Sequence, residues 1–250
     1  MSRIVEGIVR IFCITGVIIL SFLLYQKWHR LETEQAQFEQ LSASVKEIKI
    51  ANAVWKEDYK EEKREILPEY QELHRENQDF VGWVSIENTV VDYPIMYSWP
   101  DTEYYLHRNF YREESYSGTP FTLNESLDQP CLFVYGHNMR NGTMFAELLK
   151  YQERAYWECH PVISLGTLYD HADYEVFAVV YAKEDDWEKE DGLMYPFLKM
   201  QTDSSRLIQK SIYETGAESD SDGNILFLVT CIYRKDAERL VVAAREINTE

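Results

Sequence analysis

Two short apolar runs near the C-terminus, residues 225–230 (ILFLVT) and 240–244 (LVVAA), are separated by a polar segment. Runs of this length, bounded by polar residues, read as two buried strands joined by a loop. Cys231 ends the first and Arg239 begins the second, so pairing the strands brings a thiol and a guanidinium to one rim of a sheet. A thiol beside a fixed cation is favoured as thiolate, and the same cation can later stabilise an oxyanion. Taken alone, Cys231 still reads as core, because free cysteines are usually small buried hydrophobes.

A second segment changes that balance. Residues 131–134 form another apolar strand, which ends in Tyr135, Gly136, His137, Asn138 and Met139, followed by Asn141, Gly142, Thr143, Met144 and Phe145. The pattern predicts a helix over 143–151. A lone histidine at a strand end is more often structural than catalytic. Combined with LVTC and the downstream arginine, however, the order His, Cys, Arg and the wording YGHNM and GTMF resemble the class B sortases, cysteine transpeptidases of the Gram-positive cell surface. The resemblance covers most of residues 70–245. DFVGW at 79–83, IENTVVDYP at 86–94, YYL at 104–106 and GTPF at 118–121 come in the family's order and at about its spacing.

The resemblance implies a mechanism. Cys231 attacks a peptide carbonyl and expels an amine, and a second amine resolves the thioester. His137 serves as general acid and base, and Arg239 holds the oxyanion or the substrate backbone. Arg234 and Arg245 are rivals for the arginine role, but the family's arginine precedes the Val-Val of the last strand, which selects Arg239. Leu106, Tyr135 and Thr230 match groove positions of the family. The implied partners are surface proteins with a C-terminal sorting signal, cut after Thr. The implied acceptor is a lipid-linked peptidoglycan precursor, or a pilin lysine as in some relatives. Three positions depart from the pattern: Thr102 stands where asparagine is common, Val229 replaces a serine, and Ile232 replaces an acidic residue after the cysteine. These changes remove polar partners from the groove, so the first residue of the signal is expected to be read differently.

The strand-rich middle, with runs at 84–86, 90–93, 162–168 and 174–181, suggests a mainly β, closed sheet. The resemblance implies an eight-stranded barrel with added helices, one of them on the acidic insertion between 181 and 225, expected at 196–213. Residues 216–223 (GAESDSDG) resemble a calcium loop only superficially, since the spacing and final glutamate of an EF-hand are missing.

Ahead of this domain, residues 11–25 (IFCITGVIILSFLLY) carry no charge. That run is short of the ~20 residues a span needs, but Arg10 can snorkel and let the preceding apolar residues contribute. A cleaved signal peptide shares the basic start, yet Gln26, Lys27 and Trp28 offer no small-x-small cleavage site. An uncleaved membrane anchor over 1–27 is therefore expected. Arg3 and Arg10 before the run are matched by Lys27 and Arg30 after it, so the residues leave orientation open. The resemblance implies a single-pass arrangement with the catalytic domain outside the cell. Residues 28–68 are rich in Glu, Gln and Lys and read as a helical stalk up to Pro68. Leu31, Phe38, Leu41, Val45, Ile48 and Trp55 mark a short heptad seam that either pairs two chains or packs on the domain, the second being the simpler reading. The catalytic domain then spans 69–250.

A formal net charge of -18 excludes a basic nucleic-acid footprint, so no nucleic-acid partner is expected. Of the cysteines at 13, 131, 159 and 231 none forms a CxxC pair, which argues against a metal site, and the resemblance calls for no cofactor. A bridge between Cys131 and Cys159 stays open. Outside the transpeptidases, a hydrolytic cysteine peptidase would share the nucleophile, but the usual order there is Cys before His. An inactive surface scaffold is disfavoured by the survival of His137, Cys231 and Arg239 together.

Overall fold

The computed structural model describes residues 2–53, 64–183, 186–188, 197–198, 203–217, 223–232 and 239–247. The strands are β1 (Phe80–Ser85), β2 (Asp92–Met96), β3 (Cys131–Tyr135), β4 (Val162–Thr167), β5 (His171–Ala182), β6 (Trp187–Glu188), β7 (Phe197–Leu198), β8 (Ile225–Cys231) and β9 (Arg239–Glu246). Seven form one sheet in the order β2-β1-β4-β5-β9-β8-β3, and β6 and β7 pair separately. All residues of β8 from Ile225 to Thr230 are buried, as are those of β9 from Leu240 to Arg245. Uninterrupted apolar strands of this kind are covered on both faces. Between β3 and β8 the register pair Phe133 and Phe227 stacks at 4.4 Å, one of the tightest ring contacts of the core.

The sheet has seven strands rather than the expected eight, and Phe121 shows why. This residue bridges Met96 of β2 and Tyr135 of β3, the two edges of the sheet, exchanging hydrogen bonds of 3.0 and 2.8 Å with Tyr135. Pro120 before it has no N–H to extend a ladder. Closure therefore rests on Phe121 and its two neighbours: the Met96 N–H donates to the Pro120 carbonyl at 3.0 Å, and the Thr122 N–H to the Met96 carbonyl at 2.9 Å.

Two helices also depart from expectation. Residues 145–152 form a 3-10 helix, Phe145–Gln152, in place of the helix expected over 143–151. Met144 just before it has φ 55°, which no right-handed helix tolerates, so the coil starts only at Phe145. The insertion helix is short: α4 spans Ser204–Lys210, where Asp203 caps the turn by accepting from the Arg206 N–H at 3.0 Å. The rest of the helix expected at 196–213 falls partly on residues outside those described.

At the other end, α1 runs from Ser2 to Ala53. Phe38, Leu41 and Val45 are buried on the domain, with Phe38 edge-on to Tyr93 at 5.3 Å. The heptad positions thus pack on the barrel, each worth about 1.5–3 kcal/mol of apolar burial. The stalk does not run as helix to Pro68. Residues 64–67 are not helical, and Pro68 opens α2 (Pro68–Glu76), where a missing N–H costs nothing. Among the described residues no helix is long and apolar enough to cross a membrane, so the expected span is not found there. Ile14, Val17, Ile18, Leu20, Phe22 and Leu24 of α1 are nevertheless all more than half exposed.

Candidate active site

The site lies where β3, β8 and β9 end side by side. In the β8–β9 ladder Cys231 is the register partner of Arg239. In the parallel β3–β8 ladder Tyr135 pairs with Val229, so two residues further on His137 stands beside Cys231. Two contacts carry that pairing past the strand end: the Gly136 N–H donates to the Val229 carbonyl at 3.1 Å, and the Asn138 side-chain amide donates to the Cys231 carbonyl at 3.0 Å. Residues in register project to the same face. His137, Cys231 and Arg239 therefore form a row across three neighbouring strands, about 5 Å per step.

A narrow cleft covers this row. Its lining consists of Leu106, Phe121, Tyr135, Gly136, His137, Val229, Thr230, Cys231 and Arg239. All six residues expected from the sequence are present in it. Three play parts that the sequence did not announce. Leu106, in the 3-10 turn Tyr104–His107, contributes its carbonyl, which lies 3.0 Å from His137 Nε2. Tyr135 is buried, packed between Phe121 and Phe133. The Thr230 hydroxyl is buried and donates to the Gly136 carbonyl at 2.8 Å, so at the wall of the cleft it pins the histidine's strand.

The rival arginines separate clearly. Arg245 pairs with Ile225 at the opposite end of the β8–β9 ladder, its guanidinium 4.6 Å over the Phe177 ring. Arg234 lies outside the described residues.

The electrostatics set the state of His137. Burial pushes the imidazole below its usual 6.5, the Leu106 carbonyl opposes this, and the positive charges of His107 and Arg239 add to it. At neutral pH the ring is therefore neutral. A carbonyl only accepts, so the bond to Leu106 puts the proton on Nε2 and leaves Nδ1 as the basic nitrogen. His107, whose ring centre lies 5.9 Å from that of His137, went unnoticed in the sequence because nothing local distinguishes it from a surface histidine. Asn138 was visible in YGHNM, but its hold on Cys231, 93 residues away in sequence, was not.

None of the four cysteines forms a disulfide, so Cys131 and Cys159 are not bridged. Burial raises the Cys131 thiol above its usual range, which fits a core residue. Among the described residues no three His, Cys, Asp or Glu side chains converge on a metal position.

Comparison with known proteins gives this geometry a context. The Sortase domain family matches residues 84–247. Over 179 residues, 70% of this chain and 72% of the relative, the sequence is 33% identical to sortase B of Listeria monocytogenes. Among solved structures, sortase B of Clostridium perfringens aligns with a TM-score of 0.60 at 30% identity, covering 71% of this chain and 99% of that one. The Staphylococcus aureus sortase B–substrate complex aligns with a TM-score of 0.70, covering 89% and 100%, and at 22% identity it speaks for the fold alone. Agreement of this extent, over the strands that carry the histidine, the cysteine and the arginine, makes the chain a member of the sortase family, a class B sortase and hence a cysteine transpeptidase.

Proposed function

We propose that this enzyme cleaves a C-terminal sorting signal of surface proteins after Thr and transfers the new carbonyl end to an amine of a cell-wall precursor. The observation that carries the reading is the row of His137, Cys231 and Arg239 at the mouth of one cleft. Neutral His137 takes the thiol proton as Cys231 attacks, and the imidazolium so formed protonates the departing amine. The carbonyl oxygen of the tetrahedral intermediate is held by the Arg239 guanidinium, whose charge does not titrate away. In the second half His137 removes a proton from the incoming amine as it attacks the thioester, and Cys231 leaves as thiolate. The cleft favours an amine over water by keeping the thioester among Leu106, Phe121 and Val229, apolar residues with little room for solvent.

Val229 and Ile232 flank the nucleophile and are both buried, which supports an altered reading of the first signal residue. A location at the membrane is supported by the exposed apolar residues of α1 from Ile14 to Leu24, and a catalytic domain outside the cell is what the family resemblance implies. The test is to incubate the full chain and its Cys231→Ala variant with pooled Asn-Pro-x-Thr-x and x-Pro-x-Thr-Gly peptides and weigh the intact protein. A thioester adduct confined to the enzyme with Cys231 is expected, and its mass names the signal. No adduct from any peptide, with the thiol still open to alkylation, overturns the substrate assignment. Fractionation of expressing cells checks the location, expected in the membrane pellet.

A further inference from the structure

The turn that carries His137 is held unusually. His137 and Asn138 leave β3 and the chain doubles back at Met144, with an isolated bridge between Asn138 and Met144 and a hydrogen bond of 2.9 Å from the Phe145 N–H to the His137 carbonyl. To make this reversal Met144 adopts φ 55°, ψ -134°, a backbone state that side chains resist and that persists only where the surroundings enforce it. The enforcing contact comes from another part of the barrel: the Met144 N–H donates to the Tyr93 hydroxyl at 3.0 Å. Tyr93 belongs to β2, at the far edge of the sheet from β3, and is buried. Burial pushes its phenol up to about 12, so the hydroxyl stays protonated throughout the working range.

Tyr93 is itself held by α1. Phe38 packs edge-on against its ring at 5.3 Å. A line of contacts thus runs from α1 through one phenol to the strained residue that closes the histidine's turn.

We infer that Tyr93 is a positioning residue for His137, and that α1, by bracing Tyr93, belongs to the catalytic apparatus rather than serving only as a tether. Without the hydroxyl, Met144 loses the partner that keeps it in its disfavoured conformation, and the turn relaxes. His137 then drifts from the row shared with Cys231 and Arg239. A displacement of about 1 Å at such a group is enough to cost one to two orders of magnitude in rate. The inference rests on His137 being the acid–base group, as proposed above.

Tyr93→Phe removes one oxygen and nothing else from the core. In the full chain, two readouts are taken: steady-state cleavage of a sorting-signal peptide, and the rate of Cys231 alkylation by iodoacetamide against pH, with Cys231→Ala subtracting the other thiols. The expected result is a kcat lowered about tenfold at unchanged KM. The pH profile of alkylation, which follows formation of the Cys231 thiolate, shifts as well, because the imidazole beside the thiol has moved. Phe38→Leu, made on α1, shifts both readouts in the same direction and by less, and it stands in should Tyr93→Phe fail to fold. An unchanged profile and kcat in both variants overturns the inference. So does a loss that only tracks the unfolded fraction, with the profile unmoved. If the wild type cleaves no peptide, the substrate reading fails, and the alkylation profile still decides the role of Tyr93.

Discussion

The two halves of the active site are built on different principles. Cys231 and Arg239 sit in a continuous antiparallel ladder, held by strand register from Ile225 to Cys231. His137 sits two residues past the paired part of its strand, in a turn kept in place by single contacts: Thr230 and Asn138 on one side, Met144 and Tyr93 on the other. A ladder averages its geometry over many bonds, so no one substitution moves its members far. A turn held by separate side-chain bonds has no such redundancy. The proposed nucleophile and oxyanion partner are thus held by a ladder, while the proposed proton-transfer group is held by separate contacts.

The sharpest cut through this comparison is on the ladder's side. Cys231→Ala, measured as peptide turnover by chromatography, is expected to fall below roughly 10⁻³ of the parent rate, with the melting temperature little changed, because the ladder does not depend on the thiol. Next is Arg239→Ala, for which kcat is expected to drop about 10²–10³-fold. A loss equally large in Arg239→Lys would show that geometry counts there as well as charge. On the histidine's side, Gly136→Ala tests how little slack the turn has. A Cβ at Gly136 would lie 2.6 Å from the buried Phe145 ring, so the turn must shift, and a stability loss of about 1–3 kcal/mol is expected by thermal denaturation. The pH profile follows from His137. Its imidazole is depressed below 6.5 by burial, so kcat/KM should rise with pH through an acid limb lying below 6.5 and level off above it. A limb above 6.5 would mean that the histidine is less enclosed than its half of the site suggests. The smallest effect is expected at Lys46→Ala, which removes an exposed partner of Asp92 on the α1 side and should change stability by about 0–1 kcal/mol.

The same division explains what was legible in the sequence. Cys231 and Arg239 were placed by pairing two apolar runs, since a hairpin of buried strands leaves little choice of register. His137 was found by its neighbours in sequence, and Leu106 and Thr230 were placed in the groove, but their hold on the histidine's turn was not foreseen and Tyr93 was not singled out, because these residues lie 31, 93 and 44 positions away. The eighth strand came only with the family resemblance; the apolar runs read as strands from the residues number seven, as the sheet does, and near 121 the structure has an isolated bridging residue. On α1, heptad spacing correctly marked Phe38, Leu41 and Val45 as buried, but a periodic pattern does not say what covers it. Pro68 was read as the end of one helix and proved to be the start of another, a choice decided by the extended residues before it.

Phe121 has one more consequence. A sheet that is fastened along most of its strands by full ladders, and along one line only through Phe121 and the residues on either side of it, has a seam. Phe121 and Tyr135, the pair that closes this seam, are also walls of the substrate cleft. The residues that close the barrel and the residues that wall the cleft are therefore the same, so the width of the groove is set by the same contacts that shut the sheet.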